Sequence, residues 1–147
     1  MEMGFLGPLW FNLTRKLGLK GVRDLAIAPG SAGLAILAVQ IEKAHVPDSA
    51  RIGRVLAKFN LGQKFIYLVD EDIDIRDPET LNWALSARVD TERDTEFVKD
   101  FPNFQYDPPT ISRAVRVGKE LHFPPYPSSV AIVNATVKCA AHFPDSR

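Results

Sequence analysis

Five carboxylates follow one short apolar segment of this chain. The apolar segment covers residues 65–69, and the acids come within the next eight positions, as Asp70, Glu71, Asp72, Asp74 and Asp77. Such a cluster could bind Mg²⁺ or Mn²⁺, because hard cations prefer oxygen ligands. The simpler interpretation is that Asp77 caps a helix, one or two acids accept hydrogen bonds from turn amides, and the rest face water. We favour the simpler one, because short acidic motifs often match without binding a metal.

Arg88 is the second group near this segment that could do chemistry. Its guanidinium could bind the carboxylates that follow it, Asp90 and Asp94, and so tie the end of a helix to the next turn. The alternative is that Arg88 binds the carboxylate of a substrate. We favour the structural pairing, because ion-pair networks are common at sites that catalyse nothing.

The other reactive side chains lack partners in the sequence. His45, His122 and His142 are scattered without metal-ligand spacing, and no local feature activates the single cysteine, Cys139. The segment 29–33 has two glycines but precedes a predicted strand, so it is not a phosphate-binding loop. We therefore assign no catalytic, cofactor-binding or metal-binding residue to this chain.

Alternating strands and helices would position these groups. Apolar runs predict strands at residues 22–28, 34–41, 65–69, 96–98 and 130–133. Helical spacing predicts helices at 6–17, ended by Gly18, and at 48–61, capped by Asp48 or Ser49; a third begins with Asp77 as N-cap and Pro78 at its first position. This order predicts an α/β fold, layered α/β/α around a mainly parallel or mixed sheet.

Residues 100–129 differ from the rest of the chain. They contain six prolines mixed with aromatic residues, among them Phe101, Phe104 and Tyr106. Since proline interrupts both helices and strand ladders, the composition predicts a long, mostly ordered loop or extended segment. Long loops in compact domains are usually functional or packed against a partner.

Composition limits the classes of function. A chain of 147 residues with 46% hydrophobic and 24% charged residues is typical of one globular domain, here residues 1–147. Eighteen basic and eighteen acidic residues give no net charge, which offers no support for nucleic-acid binding. The sequence has no run of 18 apolar residues, so we expect no membrane span. The lone cysteine favours a reducing compartment, and we expect the cytoplasm.

One combination of motifs is similar to a known family. Residues 69–74 (Val-Asp-Glu-Asp-Ile-Asp), then Trp83 with Ala84, then residues 88–90 and 93–94 resemble the carboxy-terminal domain of the UbiD family of prenylated-FMN-dependent decarboxylases. Weaker matches are residues 34–43, Ser128–Ser129 and 134–136. The sequence departs from the family where residues 47–50 replace a Gly-His-Ala segment and where Asn134 replaces an aspartate.

The resemblance implies a fold and a role. Family proteins carry an amino-terminal region, a flavin-binding barrel and this α/β domain; their catalytic Glu-Arg-Glu set and their metal and flavin-phosphate ligands belong to the barrel. The implied cofactors, prenylated FMN with Mn²⁺ or Mg²⁺ and K⁺, would therefore be held outside this chain. Asp70, Asp72, Asp74, Asp77, Trp83 and Arg88 would form a structural motif. Phe101, Phe104 and Tyr106 would line or approach the substrate pocket, or else pack on their own domain.

We therefore expect a small non-catalytic subunit or domain of a UbiD-like carboxylase or decarboxylase. The complex would act on aromatic or α,β-unsaturated carboxylic acids, and this chain would contribute oligomerisation and part of the substrate pocket. Its expected partners are a larger catalytic subunit, further copies of itself, or both. Two alternatives stay open at this point: an independent binding or scaffold protein derived from the same fold, and a metal-dependent enzyme built on the acidic segment.

Overall fold

The computed structural model describes residues 7–8, 10–11, 15, 18–32, 35–59, 63–101, 115–122 and 128–137. Its elements, in chain order, are β1 (Val22–Ile27), β2 (Ile36–Ile41), a 3₁₀ helix (Lys43–Asp48), α1 (Ser49–Ala57), β3 (Phe65–Asp70), α2 (Pro78–Arg88), β4 (Thr95–Phe101), β5 (Val115–Val117), β6 (Glu120–His122) and β7 (Ser128–Ala135).

Five of the strands form one mixed sheet. Their order is β1-β2-β3-β7-β4, so β3 lies at the centre and β1 and β4 are the outer strands. β2, β3 and β7 are parallel, whereas β1 and β4 run antiparallel to their neighbours. The expected α/β fold is confirmed, with a mixed sheet. β5 and β6 form a separate two-stranded hairpin.

Helix α1 covers one face of this sheet. Ile52 and Leu56 of α1 pack with Ile66 and Leu68 of β3 in a fully buried apolar cluster. The contact is close at Gly53, where an added Cβ would lie only 2.8 Å from a side-chain carbon of Ile132. Since a larger side chain cannot fit there without displacement, Gly53 sets the distance between helix and sheet.

Helix α2 covers part of the opposite face. Leu81 and Ala84 pack with Val69 of β3 and Ala135 of β7, near the carboxyl ends of the parallel strands. Asp77 caps the helix as predicted: its carboxylate accepts hydrogen bonds from the backbone N–H groups of Glu79 and Thr80, and Pro78 occupies the first turn. The start of α2 is thus fixed by local signals in the sequence.

Two expectations need correction, and others lie outside the described residues. Asp48 precedes α1 but makes no capping hydrogen bond with its side chain, because a 3₁₀ helix leads directly into α1. Within 100–129, the described residues include the β5–β6 hairpin, whose turn uses Gly118 at φ 65°. Most of the predicted helix at 6–17, with Gly62, Phe104, Tyr106, Cys139 and His142, lies outside the described residues.

Candidate functional site

The acidic segment and Arg88 come together at the carboxyl end of β3. Arg88, at the end of α2, binds Asp72 through two parallel hydrogen bonds, Nη1 to Oδ1 at 3.0 Å and Nη2 to Oδ2 at 2.8 Å. Its Nη1 also donates to Oδ2 of Asp70 at 3.1 Å. The Arg88 side chain is 1% exposed, against 15% for Asp70 and 42% for Asp72. One buried cation therefore joins a strand, a turn and a helix.

This geometry corrects two expectations about the charged groups. Arg88 pairs with Asp70 and Asp72, 18 and 16 residues before it, and not with Asp90 and Asp94 after it. Asp94 is instead bound by Arg93, with both carboxylate oxygens 3.0 Å from the guanidinium. The acids beyond the cap do not simply face water, because Asp70 and Asp72 are ion-paired within the fold.

A signal for the true partners was present in the sequence. Arg88 lies seven residues after Leu81, so both belong to the face of α2 that packs on the sheet. A guanidinium on a buried face must find carboxylates there, since burying it unpaired is costly. The acids at the carboxyl end of the strand below the helix are the ones it can reach.

Other contacts hold the acidic turn in place. Ile73 and Ile75 are buried in the cluster beneath α2, and the side-chain amide of Gln40 donates to the carbonyl oxygens of Glu71 and Ile73 at 3.2 and 2.9 Å. Asp74 accepts a hydrogen bond from the backbone N–H of Arg76. The turn is therefore fixed from both sides, by apolar side chains below and by β2 beside it.

Trp83 and Asp77 support the same cluster. The Trp83 ring lies under the Arg88 guanidinium, with its centroid 5.2 Å from Cζ, a distance at which a cation–π contact is favourable. The Thr80 hydroxyl and the backbone N–H groups of Glu79 and Thr80 hold the pKa of Asp77 below its ordinary value. Asp77 therefore stays ionised at the positive end of the α2 dipole.

The cluster forms one wall of a cleft at the edge of the sheet. The cleft has a volume of about 680 Å³ and lies beyond the carboxyl ends of β2 and β3. The chain leaves β2 toward α1 on one face and leaves β3 toward α2 on the other, which is the place where open α/β sheets tend to bind ligands. Its charged lining residues are Arg23, Lys43, Asp70, Glu71, Asp72 and Arg88.

Five of these six charged groups, all except Lys43, are paired with one another. Glu71 is bound by Arg23 at 2.6 Å, and Arg88 is held by Asp70 and Asp72. Asp70 also accepts a hydrogen bond from the backbone N–H of Val137 at 2.8 Å. In the described ranges, no three histidine, cysteine or acidic side chains are grouped so as to hold a metal ion. The guanidinium of Arg88, the buried cation of the cleft, is occupied by two aspartates.

The acidic turn also contacts the outer strand β1 through Arg76. Arg76 donates to Asp24 at 2.5 Å and reaches the carbonyl oxygen of Leu25 at 3.4 Å, while the N–H of Leu25 donates to Asp24 at 2.8 Å. Side chains therefore satisfy both backbone groups of Leu25. Burial alone would raise the pKa of Asp24, but hydrogen bonds from Arg76 and Leu25 and the charge of Arg76 outweigh burial and lower that pKa.

Asn134 stands where the family pattern has an aspartate, and it links β7 to the start of α1. Its side-chain amide donates to the Ser49 hydroxyl at 2.8 Å, and its oxygen accepts from the backbone and hydroxyl of Thr136. Ser49 and Thr136 are both buried. Asn134, Ser49 and Thr136 thus join the end of β7 to the start of α1.

The two predicted pocket residues beyond Phe101, namely Phe104 and Tyr106, lie outside the described residues. Phe101 itself is the last residue of β4, where it pairs with Ser128 of β7. That position is at the amino end of β7. Phe101 therefore lies at the opposite end of the parallel strands from the Arg88 cluster. None of the helices in the described ranges is long and apolar enough to cross a membrane.

Comparison with known proteins gives one family. The model of the 3-octaprenyl-4-hydroxybenzoate carboxy-lyase C-terminal domain (UbiD_C) matches residues 7–120. Among solved structures, the apo 3,4-dihydroxybenzoic acid decarboxylase of Klebsiella pneumoniae has a TM-score of 0.70 and 20% identity over 93% of this chain, which corresponds to 28% of that enzyme.

Two further structures show the same fold. Vanillic acid decarboxylase of Sedimentibacter hydroxybenzoicus, in its open form, has a TM-score of 0.68 and 20% identity over 95% of this chain and 27% of its own. The UbiD-class enzyme HmfF of Pelotomaculum thermopropionicum, in complex with FMN, has a TM-score of 0.64 and 23% identity over 83% of this chain and 24% of its own. The present chain thus spans about a quarter of the length of these enzymes.

Proposed function

Because this chain belongs to the 3-octaprenyl-4-hydroxybenzoate carboxy-lyase C-terminal domain family, we propose that it is the accessory domain or small subunit of a UbiD-type carboxylase or decarboxylase. Residues 1–147 would form one such domain. The observation that carries the proposal is the coverage: nearly the whole chain matches about a quarter of each relative. The reactive centre would then belong to the other three quarters, on further polypeptide.

The described residues support a role without catalysis. Arg88 is the buried cation among them, and it is neutralised by two aspartates, so a substrate carboxylate would have to displace its own ion pairs. Such a ligand would have to compete with two carboxylates that the fold already holds against Arg88. We therefore assign Asp70, Asp72 and Arg88 a structural role and no part in a reaction.

The cofactor would be bound by the partner. Prenylated FMN, with Mn²⁺ or Mg²⁺ and K⁺, would supply the electron sink for loss or gain of carbon dioxide from an aromatic or α,β-unsaturated acid. The residues of this chain would take no part in that step. Phe101, Phe104 and Tyr106 are proposed only to approach the substrate pocket of the assembled enzyme, and self-association of the domain is part of the same proposal.

The test is purification of the tagged chain from its natural cell, followed by mass spectrometry and flavin absorbance. The expected result is a stoichiometric complex with a larger flavin-binding polypeptide, which releases carbon dioxide from an aromatic acid only when both are present. Purification of the chain without such a partner would favour the alternative, an independent scaffold protein. Flavin uptake and decarboxylation by the chain alone would contradict the assignment of the reactive centre to other polypeptide.

A further inference from the structure

Two residues follow the last strand of the main sheet, and side chains hold the backbone of both. β7 ends at Ala135, the last residue that pairs with β3. Beyond it, the backbone N–H of Thr136 donates to the side-chain oxygen of Asn134 at 3.2 Å. The backbone N–H of Val137 donates to Oδ2 of Asp70 at 2.8 Å. Thr136 and Val137 are the β7 exit, and its position depends on these two side-chain acceptors.

The two acceptors are anchored on helices that cover opposite faces of the sheet. Asn134 donates to the hydroxyl of Ser49, at the start of α1, at 2.8 Å, and Ser49 is 3% exposed. Asp70 is bound by Arg88, at the end of α2. The β7 exit is therefore held between the two helices, by a neutral contact on the α1 side and a charged contact on the α2 side.

A single oxygen atom makes the charged contact. Oδ2 of Asp70 accepts both from Nη1 of Arg88, at 3.1 Å, and from the backbone N–H of Val137, at 2.8 Å. Because the first side-chain torsion has only a few staggered positions, one rotamer of Asp70 serves both donors. The Asp70 side chain is 15% exposed, and a partly buried carboxylate that loses its cation is better solvated when it turns toward water. That turn would take the acceptor away from Val137.

We propose that the Arg88–Asp70 pair is a releasable clamp on the β7 exit. While Arg88 holds Asp70, the backbone at Val137 is fixed; when the pair is broken, Val137 is released and the sheet stays folded. Val137 lines the cleft together with Asp70 and Arg88. A charged group that enters the cleft and competes for Arg88 would therefore release part of the cleft wall. The clamp does not depend on the proposed function, because all of its parts lie within this chain.

The neutral contact on the α1 side provides an internal reference. Both the backbone N–H and the hydroxyl of Thr136 donate to the Asn134 oxygen, and Thr136 is buried. Local opening of a native protein exposes only the amides of the segment that opens, whereas global unfolding exposes all of them. Release of Val137 by the clamp should therefore leave the Thr136 amide protected, and unfolding of the sheet should expose both amides.

Hydrogen exchange of the full chain tests the clamp at the Val137 amide. Asp70→Ala removes the acceptor and should accelerate exchange of Val137 at least about tenfold, because hydrogen bonds to charged groups are the stronger ones. Asp72→Ala is the matched control: Asp72 binds the same guanidinium, but Val137 bonds to Asp70. In the control, exchange of Val137 should stay within about threefold of wild type. Equal acceleration in both variants, or none in Asp70→Ala, would overturn the proposal.

A double-mutant cycle asks whether Arg88 acts on Val137 through Asp70. Arg88→Met should accelerate exchange of the Val137 amide in the wild-type background more than it accelerates exchange of Thr136. In the Asp70→Ala background, the same substitution should add less than about threefold at Val137, because the acceptor is already gone. Equal effects in the two backgrounds would mean that loss of Arg88 only destabilises the whole domain, and the clamp would be wrong.

A reverse variant leaves the ion pair intact, so it remains decisive if the charge substitutions prevent folding. Asn134→Ala removes the acceptor of Thr136 and should accelerate exchange of that amide. Exchange of Val137 should stay within about threefold of wild type, since Asp70 still holds it. If both amides accelerate together in Asn134→Ala, the β7 exit opens as one unit, and the charged pair is not a separate clamp.

Discussion

The two outer strands of the sheet differ in whether side chains bond to their backbone. At β1, Asp24 and Arg76 bond to the backbone N–H and carbonyl of Leu25, and Arg23 ties the strand to Glu71. At β4, the described residues place no side chain on the backbone of residues 95–99, and Phe97 is exposed. Both strands are antiparallel to their neighbours and of similar length, with six and seven residues. Their difference is therefore one of side-chain chemistry.

The comparison shows what the acidic segment does. Asp70 and Asp72 fix the turn through Arg88, and the same turn presents Glu71 and Arg76 to β1. Charged side chains of the turn that follows β3 thus bind the outer strand β1, which lies two strands away in the sheet. β4 lies on the other side of β3 and receives no such cover from the turn.

The largest expected effect comes from removing the guanidinium that holds the turn. Arg88→Met should lower the free energy of unfolding by about 3 kcal/mol, because Asp70 is left partly buried without its counter-charge. Urea unfolding measures this loss. Hydrogen exchange at Leu25 should also accelerate, while exchange in β4 should not.

The matched control for that variant is Arg54→Met. Arg54 also pairs with a carboxylate, Glu96, at 2.7 Å, but its side chain is 52% exposed, so the loss should be much smaller. Equal losses of stability in the two variants would mean that burial of Arg88 contributes nothing, and the role given to the cluster would have to be abandoned.

An intermediate effect is expected where β1 begins. Gly21 has φ 95°, and a Cβ added there would lie 2.5 Å from the Cβ of His45. Its carbonyl oxygen accepts a hydrogen bond from Glu42, just beyond β2, at 2.8 Å. Gly21→Ala should therefore cost about 2 kcal/mol of stability and loosen β1.

Gly118→Ala separates the two causes of that loss. Gly118 also has a positive φ, 65°, but an added Cβ there meets no atom within 4 Å. Only backbone strain remains, about 1 kcal/mol. If thermal unfolding shows the two alanine variants to be equally destabilised, the close approach to His45 does not matter.

The smallest effect is expected at the outer strand β1, where Asp24 bonds to the backbone of Leu25. The lowered pKa of Asp24 means that its contribution is present above the unfolded-state pKa of about 3.9 and is lost as the pH falls through the lower folded-state pKa. Protection of the Leu25 amide, corrected for intrinsic exchange, should therefore fall in acid below about pH 4.

Arg76→Gln is the partner variant for this measurement. It removes the guanidinium from Asp24 and Leu25, so protection of the Leu25 amide should already be low at neutral pH and change less in acid. The cost in overall stability should stay below about 1 kcal/mol, because the pair is exposed. Unchanged protection of the Leu25 amide would show that the Asp24 and Arg76 side chains do not protect the backbone of β1.

Local signals in the sequence were sufficient for much of the fold. Asp77 followed by Pro78 predicted the start of α2, and the apolar runs predicted the strands to within a few residues. These features depend on neighbours in the chain, namely a carboxylate within reach of the next N–H groups and side chains of the right period. The hairpin at residues 115–122 was missed, because prolines on either side dominate the composition of that segment.

The sequence by itself determined the family motif, the order of α1, α2 and the five strands of the main sheet, and the presence of five carboxylates near an arginine on the packed face of α2. Only the tertiary structure decided which carboxylates Arg88 binds, because its partners are 16 and 18 residues away and meet it through the packing of α2 on β3. It also decided that, among the described residues, side chains bond to the backbone of β1 but not to that of residues 95–99 in β4. Strand order places the charged turn beside β1 and away from β4, and strand order depends on long-range pairing that no local pattern encodes.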